Sequence, residues 1–429
     1  MDPGGSNGTT FEIPPNLDLG FMGDETPRPH GPLTAHGRIA TQMTSHPTRM
    51  DAVQTPIIPT IGGLIRATPG TISLGQGVAH YGPPPAATEA VARALSEKST
   101  HEYQPGAGLP QLIDRLAAKL AAENRIDVKR GQALMVTAGA NMAFCHAVQA
   151  ITVPGDEIIL NVPYYFNHDM AIGIAGCVTV PVATDAAYQP RVEALRAAIT
   201  SRTRAIVTVT PNNPTGAVYG EERLRAIEAL CRERGIYHIC DETYEYFTYA
   251  PARHFSAGSI DGAQDHTISI YSLSKAYGFA GWRIGYMAYP ARLAGAMMKI
   301  QDTVLICPPV VSQIAAGAAL DVGRAYCEPF VRGLAEVREM VLSQLSALAP
   351  RVKVPVADGA FYCFVKLDTA QDAMAIAERL IREHRVAVLP GMTFGVTDGC
   401  YLRVAYGALQ KATVAEGMGR LVRGLREIL

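Results

Sequence analysis

Apolar and polar residues alternate along the chain in blocks that predict repeated strand and helix units. Runs of consecutive apolar residues are typical of strands covered on both faces, and they occur at 133–137, 157–161, 177–182, 205–210, 236–240 and 267–271. Between them, apolar residues recur every three or four positions, as on one face of a helix. In 221–234, for example, Leu224, Ile227 and Leu230 share a face, and Gly235 follows as a helix-ending residue. The pattern predicts an α/β fold with a mostly parallel sheet.

The remaining segments predict a smaller α+β domain and an N-terminal tail. Residues 1–47 are rich in Gly, Pro, Thr and Asn and lack apolar periodicity, so we expect a mobile tail. A short strand is predicted at 71–77, and the prolines after it forbid a helix until about Ala87. Further helices are predicted at 87–95, 109–123 and through 298–320, and further strands near 360–365 and 401–405. We therefore predict a tail (1–47), an arm with part of the small domain (48–86), a large domain (87–320) and a small C-terminal domain (321–429).

Composition and charge narrow the class of protein. The chain has 429 residues, 48% of them hydrophobic, and a net charge of −1, which gives no electrostatic argument for a nucleic-acid or membrane partner. No stretch approaches the length of a membrane span, and the N-terminus lacks the order of a signal peptide. The eight cysteines form no C-x-x-C motif and no cluster with histidines, so we expect reduced thiols in the cytoplasm and no bound metal.

The stretch 271–286 carries the strongest chemical signal. It places Lys275 directly after the apolar run 267–271, where the amine is desolvated and its pKa falls, as Schiff-base chemistry requires. Ser272, Ser274 and Arg283 supply hydroxyl and guanidinium donors for a phosphate group. The alternative interpretation of a lone Ser-x-Lys is a surface loop with a solvated lysine.

Other polar groups follow the predicted strands at the same edge of the sheet. Gly139, Ala140 and Asn141 form a strand–turn–helix junction, whose free backbone N–H groups favour an anion. Asp241 ends a buried strand and can face the nitrogen of a pyridine ring; a helix N-cap is the alternative role. In parallel sheets, functional groups gather at the carboxyl ends of the strands.

Three more residues can contact a ring-shaped cofactor. Asn213 and Tyr244 are candidate donors to a ring oxygen, although Asn213 is also an ordinary turn residue. Tyr165 can stack on the ring, although a Tyr-Tyr-Phe run is also typical of core or lid packing.

In order and spacing, these motifs resemble the class I/II aminotransferases, the aspartate-aminotransferase-like family of fold type I, from about Thr55 onward. The resemblance also includes Tyr103, Asn167, His168 and Arg403. It implies a large domain with a mostly parallel seven-stranded sheet, a smaller α+β domain, and pyridoxal 5'-phosphate held as an imine on Lys275.

The resemblance implies a role for each of these residues. Asp241 would pair with the pyridine nitrogen, with His168 behind it. Asn213 and Tyr244 would bind the ring 3-oxygen, and Tyr165 would stack on the ring. The phosphate would be bound by Gly139, Ala140, Asn141, Ser272, Ser274 and Arg283.

The resemblance also implies a shared site between two subunits. Tyr103 would reach the phosphate bound by the neighbouring subunit, so we predict a homodimer, with the arm 55–67 at the interface. Arg403 would bind the substrate α-carboxylate in a bidentate manner, and we assign Gly77 and Asn213 to the substrate site as well.

The reaction is open between two outcomes at this stage. Transamination of an L-amino acid with a 2-oxo acid needs removal of the Cα proton and its return to the cofactor, with Lys275 as the shuttle. Departure of a β or γ group gives elimination, replacement or cyclisation instead. A ligand-sensing module of the same fold is a third class, but the tail is too short and unpatterned for the DNA-binding domain that such proteins carry.

Asp302 gives the only signal for the substrate side chain. If Cys307-Pro308-Pro309 matches the family's Pro-Pro pair, Asp302 stands where dicarboxylate-specific members carry an arginine. An acidic residue there predicts a cationic substrate, either an arginine-like amino acid or S-adenosylmethionine. The alternative is a helix-end aspartate that points away.

Overall fold

The computed structural model describes residues 48–355 and 357–429, so the predicted tail lies outside the described residues. The strands are β1 Ile72–Ser73, β2 Gln132–Thr137, β3 Glu157–Val162, β4 Val178–Ala183, β5 Thr203–Val209, β6 Tyr237–Asp241, β7 Thr267–Ser272, β8 Gly285–Pro290, β9 Val352–Lys353, β10 Tyr362–Leu367, β11 Val386–Ala387, β12 Leu389–Pro390 and β13 Cys400–Ala405. The helices are α1 Ile57–Arg66, α2 Pro85–Ala94, α3 Pro110–Lys119, α4 Ala140–Ile151, α5 Phe166–Ile174, α6 Val192–Ala198, α7 Glu221–Arg234, α8 Leu273–Ala276, α9 Ala294–Val304, α10 Val310–Val322, α11 Glu328–Ser346, α12 Ala373–His384 and α13 Lys411–Ile428.

A seven-stranded sheet in the order β2-β8-β7-β6-β5-β3-β4 forms the centre of the fold. All its strands run in one direction except β8, which is antiparallel to both neighbours. The predicted mostly parallel seven-stranded sheet is therefore confirmed. Successive residues of the central strands, such as Ile158 and Ile159, are buried in different clusters, because helices cover both faces.

Two smaller sheets involve the C-terminal third of the chain. A four-stranded antiparallel sheet has the order β12-β13-β10-β9, and the helices α12 and α13 pack against each other beside it. The short strand β1 pairs in parallel with β11, so the predicted strand at 71–77 joins residues more than 300 positions later. The division into tail, arm, large domain and small domain stays a prediction.

The helix boundaries follow the sequence in some places and depart from it in others. Helix α7 ends before Gly235, whose φ of +65° is the left-handed conformation that glycine adopts without strain. Helix α2 begins at Pro85, earlier than predicted, because proline is tolerated in the first turn. The predicted helical pattern through 298–320 consists of two helices, separated where Ile306 has a φ of +67° before Pro308 and Pro309. Within the described residues, no helix is both long enough and apolar enough to cross a membrane.

Candidate active site

The carboxyl ends of β2, β3, β5, β6 and β7 surround a cavity of about 280 Å³. Most of the residues predicted from the sequence line it: Gly77, Ala140, Asn141, Tyr165, Asn213, Asp241, Tyr244, Ser272, Ser274, Lys275, Arg283 and Arg403. They meet because parallel strands end at one edge of the sheet.

Lys275 lies on the short helix α8, immediately after β7. The hydroxyl of Ser272 accepts a hydrogen bond from the backbone N–H of Ser274 at 3.1 Å, and this contact begins the helix. The Lys275 Nζ donates to the carbonyl oxygen of Gly77 at 2.5 Å. Burial, together with the positive charges of Arg403 and Arg283, lowers the pKa of Lys275 to about 8. About a tenth of this amine is therefore uncharged at pH 7, far more than for an ordinary lysine.

Asp241 ends β6 with its carboxylate buried. Its Oδ2 lies 3.1 Å from Nε2 of His168, and the backbone N–H of Thr243 donates to its Oδ1 at 3.0 Å. Burial by itself raises the pKa of Asp241, but these contacts outweigh it, and the pKa lies below its ordinary value. The ring of Phe144 stacks on His168 at a centroid distance of 3.9 Å and holds the imidazole in place. Asp241 is therefore an anion at neutral pH.

The N-terminus of α4 and Arg283 form a cradle for an anion. Gly139 precedes the helix with a φ of +86°, and a Cβ atom there would collide with the guanidinium group of Arg283. Arg283 donates to the carbonyl oxygen of Ala280 at 2.9 Å and faces the cavity beside Asn141. Free backbone N–H groups at a helix start and a guanidinium group together favour a phosphate.

Tyr165 is held by amide side chains on both sides of its hydroxyl. Asn167 Nδ2 donates to the Tyr165 hydroxyl at 2.8 Å, and that hydroxyl donates to Asn141 Oδ1 at 3.4 Å. The ring of Tyr165 also meets His168 edge-on, at a centroid distance of 5.2 Å. These contacts fix the orientation of the aromatic ring over the cavity.

Arg403 is fully buried on β13 at the opposite wall. Its Nη1 donates to Asn213 Oδ1 at 2.9 Å, and its Nη2 donates to the carbonyl oxygen of Gly75 at 2.6 Å. Its Nε is buried and has no hydrogen-bond partner among the described residues. Burial lowers the pKa of Arg403 from its ordinary value. A buried N–H without a partner is costly, so Nε is suited to an acceptor that a ligand supplies.

Two tyrosines that the sequence interpretation missed belong to this site. The hydroxyl of Tyr362 lies 2.5 Å from the hydroxyl of Tyr244, and its ring lies 4.7 Å from the guanidinium of Arg403. The hydroxyl of Tyr81 donates to the carbonyl oxygens of Lys275 and Ala276 at 3.2 and 3.0 Å. The pairing of β10 with β13 locates Tyr362. It sets Phe364 opposite Arg403, and Tyr362, two residues before Phe364, therefore lies on the same face of the sheet as Arg403.

Besides Gly139, which directly precedes the lining residue Ala140, two predicted residues do not line the cavity of this single chain. Tyr103 is 79% exposed and lines an open depression of about 690 Å³ beside Pro308 and Pro309. Asp302 is exposed near the end of α9. Both residues are predicted to act at a site shared by two subunits. Their positions in a single chain do not test this, so both roles stay predictions.

The residues of the cavity fit pyridoxal phosphate. The cofactor needs an amine for its aldehyde, a carboxylate for its ring nitrogen and donors for its phosphate, and Lys275, Asp241 and the cradle at Gly139 offer these groups. The buried, unpartnered Nε of Arg403 adds a donor for a substrate carboxylate. The arrangement suits removal of a proton next to an amino group.

Comparisons with known proteins agree with this chemistry. The profile of the family described as aminotransferase class I and II matches residues 69–421. The chain is 34% identical over 384 residues to aromatic aminotransferase ISS1 of Arabidopsis thaliana, covering 87% of this chain and 94% of that protein. It is 36% identical to the aspartate/prephenate aminotransferase of Thermus thermophilus, covering 82% and 91%. A double mutant of Thermus thermophilus aspartate aminotransferase superimposes with a TM-score of 0.82 at 32% identity, covering 89% and 100%.

Proposed function

The chain belongs to the class I and II aminotransferase family and is a pyridoxal-phosphate-dependent aminotransferase, and we propose that its amino donor is an L-amino acid with an aromatic or large apolar side chain. The observation that carries this proposal is the charge of the cavity wall. Among the described lining residues, the cations are Lys275, Arg283 and Arg403, and Asp241 is the acid.

Each of these charged side chains already has a role in the proposed site. Lys275 would hold the cofactor, Arg283 would bind its phosphate and Asp241 would face its ring nitrogen. Arg403 is then the cation left for the α-carboxylate of the substrate. A second carboxylate finds no further cation among the described residues that line the cavity, whereas Ile58, Val78, Phe166 and Tyr362 offer apolar surface.

The proposed roles in the reaction follow from the same contacts. Bound pyridoxal phosphate supplies an aldehyde for the amino group and a ring that accepts electrons. Asp241, held ionised by His168, would keep the ring nitrogen protonated. The amine of Lys275 would take the Cα proton and return it to the cofactor carbon on the other side of the transferred nitrogen. Its pKa of about 8 suits both steps near neutral pH.

Arg403 would orient the substrate for that proton transfer. Asn213 and Gly75 fix the plane of the guanidinium group, so a carboxylate bound to it would hold Cα in one place. Asn213 uses its side-chain oxygen in that contact, and its amide nitrogen is the donor for the ring oxygen. Tyr244 would give the second donor, and Tyr165 would cover the face of the ring. The carbonyl oxygen of Gly77 accepts a hydrogen bond from the Lys275 amine. It would hold that amine after the amino group of the substrate has displaced it from the cofactor.

We further propose a homodimer with shared sites, located in the cytoplasm. The open depression at Tyr103 is lined by Pro308, Pro309 and Val310, among others. Val304 and Ile306, which precede this stretch in the chain, are also exposed apolar residues, and a second copy would cover this surface. The eight cysteines are all free, as expected in a reducing compartment.

A product screen tests the proposed donor. The purified enzyme with pyridoxal phosphate is offered phenylalanine, leucine, aspartate, glutamate, arginine, lysine and S-adenosylmethionine, each with and without 2-oxoglutarate. The 2-oxoglutarate is isotopically labelled, so that amino transfer from glutamate is also visible when products are identified by mass. We expect the 2-oxo acid of phenylalanine as the fastest product, and more than one equivalent of it per enzyme site only when 2-oxoglutarate is present. Aspartate or glutamate as the best donor would overturn the proposal.

The same screen tests the prediction for Asp302. If arginine, lysine or S-adenosylmethionine is preferred, and Asp302→Ala removes the preference, a cationic substrate is bound across the dimer. More than one equivalent of product per enzyme site without 2-oxoglutarate would instead indicate elimination, replacement or cyclisation. An Asp302→Ala variant with unchanged preference identifies Asp302 as an ordinary surface residue.

A further inference from the structure

Tyr362 connects three parts of the proposed site. It begins β10 and is completely buried, and its ring lies under the guanidinium of Arg403. Its hydroxyl lies 2.5 Å from that of Tyr244. A Cβ atom at Gly77 would lie 2.5 Å from the Tyr362 hydroxyl oxygen, so glycine at this position makes room for it. Gly77 is also the residue whose carbonyl oxygen binds Lys275.

The two hydroxyls together offer one proton to the cavity. Burial raises the pKa of Tyr362 to about 12 and raises that of Tyr244 well above its ordinary value, so both are neutral near pH 7. Each neutral hydroxyl carries one proton, and one of the two protons occupies the short bond between them. The direction of that bond decides which tyrosine can donate to a ligand.

We propose that Tyr362 donates its hydroxyl proton to Tyr244 and thereby directs the Tyr244 proton toward the ring oxygen of the cofactor. Tyr362 is then a positioning residue that acts through Tyr244. This inference rests on the proposed function, in which Tyr244 binds that oxygen. Arg403 favours this direction, because its positive charge over the Tyr362 ring makes the Tyr362 hydroxyl a stronger hydrogen-bond donor.

A hydrogen bond that Tyr244 receives makes it a better donor to an anionic ring oxygen. Stabilising that anion lowers the pH at which the visible absorption band of the bound cofactor changes. Loss of the Tyr362 hydroxyl should therefore raise this pH midpoint, without removing the cofactor. Since a single hydrogen bond is involved, we expect a rise of about 0.5 to 1 pH unit.

The experiment compares four proteins loaded with pyridoxal phosphate: the wild type, Tyr362→Phe, Tyr244→Phe and the double variant. Phenylalanine keeps the ring under Arg403 and removes only the hydroxyl. The absorption midpoint is measured by pH titration without substrate, and far-UV circular dichroism confirms the fold. Tyr406→Phe is the matched control, because it removes another buried hydroxyl outside the cavity lining.

We expect Tyr362→Phe to raise the midpoint in the wild-type background and to leave it unchanged in the Tyr244→Phe background. The control Tyr406→Phe should leave the wild-type midpoint unchanged. An unchanged midpoint in Tyr362→Phe would overturn the inference. An equal rise in both backgrounds would also overturn it, because Tyr362 would then act without Tyr244. A wild-type protein with no visible band would overturn the proposed function together with it, so the two failures are distinguishable.

Discussion

The Nε2 atom of His168 lies 3.1 Å from the Oδ2 atom of Asp241, and both side chains are buried. A carboxylate only accepts hydrogen bonds, so Nε2 carries the proton in this contact. The imidazole therefore helps to keep a buried carboxylate ionised against the cost of its burial.

Replacing His168 by Leu should raise the pKa of Asp241, because burial then acts on it with less opposition. The acidic limb of the pH profile of kcat/KM should move to higher pH, with loss of activity as the pH falls through the new value. The control is Phe144→Leu, which removes the stacked ring and leaves the Asp241–His168 contact chemically possible. An acidic limb that stays in place would contradict the proposed role of His168.

Replacing Asp241 by Ala should slow removal of the Cα proton by roughly 10³-fold or more, because the ring nitrogen loses its anionic partner. Cofactor should still bind, but weakly. Single-turnover absorption measurements with an amino acid and no oxo acid give the rate of this step. A variant with near wild-type single-turnover rates would show that another group holds the ring nitrogen.

The amine of Lys275 should control uptake of the cofactor. Its pKa of about 8 means that the reactive, uncharged form increases as the pH rises through that value. We expect the rate of pyridoxal phosphate uptake by cofactor-free protein to rise between pH 7 and 9 and then to level off. Borohydride should fix the cofactor covalently in the wild type and not in Lys275→Ala; fixation in the variant would show that another lysine carries it.

Replacing Arg403 by Lys should raise KM for the amino donor by about 100-fold, because an ammonium group cannot form the bidentate contact with a carboxylate. Lysine has fewer N–H donors than arginine, so the side-chain oxygen of Asn213 or the carbonyl oxygen of Gly75 also loses its hydrogen bond. Steady-state kinetics with phenylalanine measure the change. Arg379→Lys, on the exposed face of α12, serves as the control and should leave KM unaltered.

Mixing two inactive variants tests the shared site at Tyr103. Lys275→Ala and Tyr103→Ala should each have little activity alone. After unfolding and refolding together in equal amounts, one site of each mixed dimer would combine an intact Lys275 with an intact Tyr103. Random pairing predicts recovery of about a quarter of wild-type activity. If the mixture is no more active than its components, Tyr103 does not act across a dimer.

Glu228 should make folding sensitive to acid. It is buried between His238, at 3.3 Å, and His266, at 2.6 Å, and Thr267 donates to it at 2.8 Å. Although burial raises its pKa, these contacts lower it to about 2 from an ordinary 4.5. Because the folded pKa is the lower one, the stabilisation is present above pH 4.5 and is lost as the pH falls toward 2.

Glu228→Gln should therefore lower the free energy of unfolding by about 3 kcal/mol at pH 7, and by less as the pH falls below 4.5. Denaturant unfolding at several pH values measures the difference. Glu233→Gln, on the exposed end of the same helix, is the control and should leave the free energy of unfolding nearly unchanged. A difference independent of pH would indicate a packing defect rather than loss of the charge.

Local pattern alone determined the repeated strand and helix units and the edge of the sheet where polar residues collect. The apolar runs that predicted β2, β3, β5, β6 and β7 end within a few residues of the strands in the structure, and α7 has its predicted bounds. These features follow from backbone hydrogen bonding and side-chain periodicity over a few residues, which the sequence displays directly. Asp241 at the end of β6 and Lys275 after β7 lie in one cavity for the same reason.

Only the tertiary structure decided the contacts between segments far apart in the chain. The run Gly285–Pro290 was not among the predicted strands, and it forms β8 because β2 and β7 both pair with it. The contact between Arg403 and Asn213 spans 190 positions, and that between Tyr362 and Tyr244 spans 118. Such pairs depend on the register of strands and on which loops the fold brings together. No periodicity within one segment records these contacts, since their energy is gained only when the chain is folded.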